Sequence, residues 1–210
     1  IDGLSNQDWR HVVLVVKHEE MTVYIDGLKK GSVSSKESVQ DILGNNSIFQ
    51  IGKGNWNSGE YYQGLIDEFT VYGKALSETE IQAAAQKEPL ADFTFDNDQD
   101  GFQGKGAVAK GNGIYQFEDD AVSGKSLYLD RNGFLKITRE DGTPLMTGCD
   151  EMTISYYSKV EEQDIEWTLF LAAEEGAQKV GKERYVGIMD GLGQTIVERY
   201  HNTGSRPSRI

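Results

Sequence analysis

About a dozen short runs of alternating or continuous apolar residues, each closed by Gly, Asn, Asp or Ser, constrain this chain more than any other feature. Met21, Val23 and Ile25 fall on one side of such a run and Thr22, Tyr24 and Asp26 on the other, after which Asp26-Gly27 supplies a turn. Val12 to Val16 is apolar at every position, which predicts a strand covered on both faces. Further strands are predicted at 48–52, 65–72, 93–95, 126–130, 134–138, 153–160, 167–173, 184–190 and 194–200. One helix is predicted, over 77–86, because Ser77 and Glu80 form a capping box and Pro89 follows. The pattern is that of an all-β sandwich with one short helix.

The 210 residues suit one domain of ordinary size, and a net charge of −13 excludes the usual nucleic-acid and anionic-membrane binders, which present basic surfaces. The expected partner is neutral, cationic or a metal ion. Cys149 stands alone, so there is no internal disulfide and no cysteine-built zinc site. No apolar run reaches the roughly 18 residues of a membrane span. Ile1 is not preceded by a basic and apolar leader, so a signal peptide is expected to have been removed or to lie outside this sequence.

Several motifs agree with one family. The stretches Trp9-Arg10-His11-Val12-Val13, Val23-Tyr24-Ile25-Asp26-Gly27, Ile51-Gly52-Lys53, Gly64 to Tyr72 and Ala75 to Ile81 resemble the C-terminal half of a laminin-G-like, concanavalin A-like jelly-roll domain over most of residues 1–88. Phe93 to Asp96, Gly124 to Leu129, Met152 to Lys159 and Glu198 to Pro207 resemble its N-terminal half, over 91–210. The order is reversed from the family's. Joining residue 210 to residue 1 restores it, so the expectation is one domain over 1–210 with its halves in circularly permuted order and a junction at 89–90. A fragment cut across two tandem repeats, or a domain-swapped dimer, are the rival arrangements. The loop from Lys53 to Tyr62 and the segment from Glu198 to Pro207 further resemble modules attached to bacterial secreted glycoside hydrolases, such as family 43 arabinan- and xylan-degrading enzymes.

Two constellations carry the functional expectation. In a Gly/Asn/Ser-rich loop, Trp56, Glu60 and Tyr61 offer aromatic faces and a carboxylate. Arg199, Tyr200, Asn202 and Arg206 offer hydrogen-bonding groups at a strand end and its loop. If the sandwich brings the two together they make a sugar site, with rings stacking on sugar faces and polar groups binding hydroxyls. The alternative is that the loop aromatics plug the sheet. Among the acidic residues, Asp96, Asp98 and Asp100 sit at alternate positions before Gly101, the oxygen-rich pattern that calcium favours, although Ala107 stands where an EF-hand needs glutamate. A solvated acidic turn is the alternative. Strict alternation puts Asp67 beside Leu65, Phe69 and Val71, and a buried carboxylate must be paired, hydrogen-bonded or metal-bound. The resemblance implies a structural calcium with Asp67 as a ligand; an Asp accepting backbone N–H bonds is the competing reading.

No catalytic pattern emerges. The Glu-x-Asp-x-x-Glu strand of jelly-roll glucanases is absent, Asp164-Ile165-Glu166 and Asp67-Glu68 do not reproduce it, and the three histidines lack metal-ligand spacing. The expectation is a non-catalytic carbohydrate-binding accessory module of a secreted or surface-attached bacterial glycan-degrading protein. Its partner would be a polysaccharide or oligosaccharide containing arabinose or xylose, beside neighbouring domains of a larger chain. A structural domain packing on a catalytic neighbour, or a glycoside hydrolase in its own right, are the rivals.

Overall fold

The computed structural model describes residues 8–34, 37–54, 60–83, 88–96, 102–161, 164–173, 184–201 and 208–210. In chain order the first elements are β1 (Arg10–Lys17), β2 (Glu20–Ile25), β3 (Leu28–Ser34), α1 (Val39–Leu43), β4 (Ile48–Ile51), β5 (Gly64–Tyr72) and α2 (Glu78–Gln82). Then follow β6 (Ala91–Phe93), β7 (Phe102–Gly104), β8 (Ala107–Asn112), β9 (Tyr115–Glu118), β10 (Ser126–Leu129) and β11 (Phe134–Arg139). The last are β12 (Met152–Val160), β13 (Glu166–Ala172), β14 (Arg184–Gly191), β15 (Gln194–His201) and β16 (Ser208–Arg209).

These strands make two antiparallel sheets, the architecture of a concanavalin A-like β-sandwich. The first runs β3-β2-β1-β12-β5-β10-β9, with β6 also on β5, and the second runs β16-β15-β14-β13-β4-β11-β8-β7. Strands from residues 1–88 and from 91–210 are intercalated in both. β12 lies between β1 and β5, and β4 lies between β13 and β11. Their inner faces meet in one core that includes Leu14, Val23, Phe69, Ile154, Leu169 and Val197.

Local sequence explains the elements. Val12, Leu14 and Val16 face the core while Val13 and Val15 pack with Leu76 and Ile81 beneath α2, so β1 is covered on both faces as its continuous apolar run predicts. Ser77 accepts from the Glu80 N–H and Glu80 accepts from the Ser77 N–H, which fixes the start of α2. The helix closes at Gln82 with Ala83 as its C-cap, shorter than the predicted 77–86; residues 84–87 fall outside the described set. The predicted 93–95 strand lies instead at Ala91–Phe93, because Phe95 adopts a φ of 59° that breaks the extended run. A second helix, α1, uses Ser38 and Asp41 as its capping box.

Asp67 departs from strict alternation. The β5–β12 register shifts between Ser155 and Tyr157, and Glu68 has φ 49°, marking a β-bulge. Ile66, Phe69 and Val71 therefore face the core, and Asp67 does not share that face with Phe69. The bulge lies where the outer edge of β5 passes from β10, paired at 64–66, to β6, paired at 69–71.

The intercalation predicts that neither half folds alone. Residues 1–88 and 91–210, made separately, should each lack the cooperative unfolding of the whole chain by circular dichroism, and mixing them should restore it. Ile154→Ala, at a fully enclosed site on β12, should cost about 2–5 kcal/mol in a denaturant titration.

Candidate functional site

One end of the sandwich gathers β5 at Gly64, β12 at Val160, β13 at Glu166, β14 at Asp190 and the turn between β10 and β11 at Arg131. A cavity of about 150 Å³ opens there, and Glu60, Asp164, Glu166 and Asp190 line it together with Tyr61, Tyr62, Gln63 and Arg131. Burial deepens inward: Glu60, Asp164 and Arg131 are exposed, Glu166 is half-buried and Asp190 is 1% exposed.

Close packing holds this geometry. Gly191 has φ 148°, and a Cβ there would come 2.0 Å from the Asp164 carbonyl oxygen, so glycine alone lets the 164 loop close over the β14 end. Gly64 has φ 156°, with Tyr62 Oη and Lys159 O within 2.6 Å of where a Cβ would stand. Tyr62 is fully enclosed and shares a hydrogen bond with Ser158 Oγ at 2.9 Å. At the rim the Trp167 indole N–H donates to Glu60 Oε2 at 2.5 Å. Arg131 Nε donates to Gln63 Oε1 at 3.1 Å.

The electrostatics are those of crowded, partly dehydrated carboxylates. Burial pushes the Glu166 carboxyl up to about 7, the Glu60 and Asp164 charges push the same way, and Arg131 opposes them. Burial pushes Asp190 up to about 6, against hydrogen bonding from Thr168 and Thr195. Thr168 Oγ1 donates to Asp190 Oδ2 at 2.7 Å. Asp190 Oδ1 and Glu166 Oε2 are enclosed, with Thr195 beside Asp190 and no donor within close hydrogen-bonding geometry of either oxygen among the described residues. Both residues belong to the cavity wall, with these two oxygens enclosed behind its surface.

The expected sugar residues divide. Glu60 and Tyr61 lie in the cavity wall, and Tyr61 also packs near Phe134 with Lys53 Nζ 5.5 Å from its ring centre. Trp56, Asn202 and Arg206 lie outside the described residues, as does the side chain of Tyr200. Arg199 corrects the expectation of a surface contact: it is 2% exposed and pairs with Val186, whose row continues to Leu171. Glu60 bonds Trp167, four residues along β13 and roughly 13 Å from that row at 3.3 Å per residue. Strand alternation sets Arg199 on the side of β15 that carries Val197, inside the sandwich and away from the cavity. Sequence reasoning missed Asp164, Glu166, Asp190 and Arg131; the signal for the first two was the pair flanking Ile165, passed over because it does not match the glucanase pattern.

The expected calcium ligands also find other work. Asp67 is fully buried and its two oxygens accept N–H bonds from Glu68, Val122 and Ser123 at 2.8–3.0 Å. Asp96 Oδ1 accepts from the Lys125 N–H at 2.9 Å, so these carboxylates hold opposite ends of the 122–125 loop. Asp98 and Asp100 lie outside the described residues, and among the described residues no group of three His, Cys, Asp or Glu could hold a metal ion. The described carboxylates do not by themselves fit calcium.

A larger concavity of about 560 Å³ lies on the outer face of the first sheet, lined in part by His11, Glu68, Asp92, Ser155 and Tyr157. Four of its polar side chains pair, His11 Nε2 with Ser155 Oγ at 2.8 Å and Thr70 Oγ1 donating to Asp92, while burial and the Asp67, Asp96 and Asp92 charges push the Glu68 carboxyl up.

Residues 3–82 match the laminin-G-type profile of the Concanavalin A-like lectin/glucanases superfamily. The matched segment carries Glu60 and Tyr61 of the cavity, while Arg131, Asp164, Glu166 and Asp190 come from outside it. A curated relative, Paraclostridial mosquitocidal protein 1 of Paraclostridium bifermentans, is 32% identical over 80 residues, which cover 38% of this chain and 6% of that protein. The chain therefore spans a small part of the relative's length.

Glu166 and Asp190 keep their protons to higher pH in the folded than in the unfolded chain, so the native state binds more protons between about pH 4 and pH 7. Their contribution makes stability fall as pH rises through that window. Asp190→Asn should raise the stability at pH 8 by about 2 kcal/mol, at roughly 2–4 °C per kcal/mol, with little gain at pH 4. Thermal melts of both proteins across pH 4–8 check this; an equal effect at both ends would contradict it.

Proposed function

We propose that this chain is a non-catalytic carbohydrate-binding module of a larger bacterial protein acting outside the cell, with the end cavity as its sugar contact. The observation that carries the reading is the grouping of Glu60, Glu166 and Asp190 with the Tyr61 ring around one small cavity. A sugar residue supplies both hydroxyl donors and an apolar ring face. At about 150 Å³, below the ~300–1,000 Å³ of drug-sized ligand sites, the cavity suits one residue of a glycan and not a run of them. The lectin/glucanase match over residues 3–82 agrees with this ligand class.

The parent protein follows less directly. The toxin relative makes a large multidomain protein as fitting a context as a glycan-degrading enzyme. Packing on a neighbouring domain is less favoured, because among the described residues the exposed large apolar side chains fall at separate places in the chain, Leu28 at the start of β3, Ile114 and Tyr115 at the start of β9, Val122 in the loop before β10 and Leu192 in the turn after β14. A hydrolytic reading draws on one observation, the grouping of Glu60, Asp164 and Glu166 with Glu166 protonated up to about pH 7, as a general acid requires.

Isothermal titration against arabinan, xylan, galactan and other plant and host glycans tests the proposal. At least one glycan should bind, and Glu60→Ala and Tyr61→Ala should each weaken it about tenfold or more without changing the melting temperature by more than a few degrees. Binding indifferent to both substitutions, or none with any glycan, would contradict it. Release of reducing ends that Glu166→Gln abolishes would replace it with a glycosidase.

A further inference from the structure

Strand β13 carries one residue too many for a regular pairing with β14. Trp167 lies opposite Met189 and Leu169 opposite Ile188, so Thr168 is the extra residue of a β-bulge. Leu169 and Leu171 face the core, and strict alternation would send Trp167 inward with them. The bulge reverses that phase. Thr168 turns inward and donates to Asp190, while Trp167 turns to the outer side of the sheet and packs with Phe170 and Tyr185. One inserted residue thereby serves both sides of the sheet where β13 reaches the cavity.

Three neighbours fix the indole. Phe170 and Tyr185 meet it edge to face, at centroid distances of 4.8 and 5.6 Å and interplanar angles of 86° and 88°. Tyr185 is itself held, its hydroxyl donating to Glu198 Oε2 at 2.8 Å. Gly187 leaves room for the ring, since a Cβ there would stand 2.3 Å from Trp167 Cζ3. Trp167 is 3% exposed, yet its one polar side-chain atom, Nε1, donates to the exposed Glu60 at 2.5 Å. Glu60 makes this contact from a left-handed backbone, φ 59°, a conformation uncommon outside glycine. Beside it the Tyr62 N–H donates to Gly52 O at 3.0 Å and Lys53 pairs with Tyr61. This stretch of the cavity wall is thus anchored once through its backbone and again through the Glu60 side chain.

We infer that Trp167 is a positioning residue for the sugar contact: its indole N–H holds the Glu60 carboxylate, and with it the adjacent Tyr61, at the cavity mouth. This rests on the carbohydrate reading and adds to it the residue that sets the geometry of both contacts. With Oε2 engaged by the indole, Oε1 is the oxygen that Glu60 offers a sugar hydroxyl. Side chains ordered in advance lose less freedom on binding, so removal of the N–H weakens the complex although Trp167 touches no sugar.

The test uses Trp167→Phe, which removes the donor and keeps an aromatic ring in the cluster, together with Glu60→Ala and the double variant. Arabinan, xylan, galactan and other plant and host glycans are titrated calorimetrically against each full-length protein. Trp167→Phe should weaken binding about tenfold, as Glu60→Ala does, and the double variant should bind no more weakly than Glu60→Ala alone. Losses that multiply in the double variant, as a purely structural role would give, or unchanged affinity in Trp167→Phe, would overturn the inference. A second readout needs no glycan. The Trp167 indole N–H resonance should move upfield in Glu60→Ala and exchange with solvent at least about tenfold faster, while that of Trp9, bonded to Asp120, stays in place. Glu60→Ala, at an exposed position, keeps the test valid should Trp167→Phe misfold. An unmoved Trp167 resonance would overturn the inference while leaving the carbohydrate reading intact. No binding by any glycan would overturn the carbohydrate reading, and the indole resonance would then decide by itself whether Trp167 holds Glu60 in place.

Discussion

The insertion of β12 between β1 and β5 is the constraint on which the structure depends. Met152 to Val16 at one end and Arg10 to Ser158 at the other, one continuous antiparallel register joins a late segment to an early one. Its other edge holds β5 from Gly64 to Tyr72, with the bulge between. Without this strand the first sheet separates into a β1–β3 hairpin group and a β5-centred group, neither of which closes the core. The second sheet repeats the device with β4. Long-range pairing of this kind is slow to form and cooperative once formed. It also fixes where β12 ends, at Val160, and so places the cavity.

That cavity shows how a sandwich end becomes chemically specific. Inner-facing residues along β14 are apolar at Val186 and Ile188, and the next is Asp190, in contact with Thr168 and beside Thr195. A carboxylate at the edge of an apolar core loses much of its hydration and keeps few donors, so its ionisation is costly. Glu166, Glu60 and Asp164 add charge at the mouth instead of relieving it. Stability spent in this way is characteristic of a site shaped for a ligand. Asp67 is the contrasting case: equally buried, it is supplied with three backbone donors and serves the fold by tying the 122–123 loop across the gap between β10 and β6.

The architecture was legible wherever the pattern was local. Alternation at Met21 to Ile25 and the doubly apolar run at Val12 to Val16 place their side chains as found, and Ser77 with Glu80 marks the start of α2. Edge strands were harder to read. β3, with Lys29 and Lys30, and β9, exposed at Tyr115 and Gln116, carry the polar composition that protects sheet edges and so resemble loops. The bulge at Asp67 and Glu68 was invisible because one extra residue changes no composition, only phase. The site was half legible: Glu60 and Tyr61 stood out as loop residues, whereas Asp164, Glu166 and Asp190 come from distant segments that only the second sheet brings together. Arg199 looked like a surface arginine because its neighbours are polar, yet its place in the β15 register puts it inside.

Backbone amide chemical-shift mapping of the labelled chain, titrated with whichever glycan it binds, tests the central claim most directly. The account predicts that the first and largest shifts fall on Glu60, Tyr61, Gln63, Arg131, Asp164, Glu166 and Asp190. Shifts centred instead on the groove around His11, Glu68 and Tyr157, or spread without focus across both sheets, would contradict it.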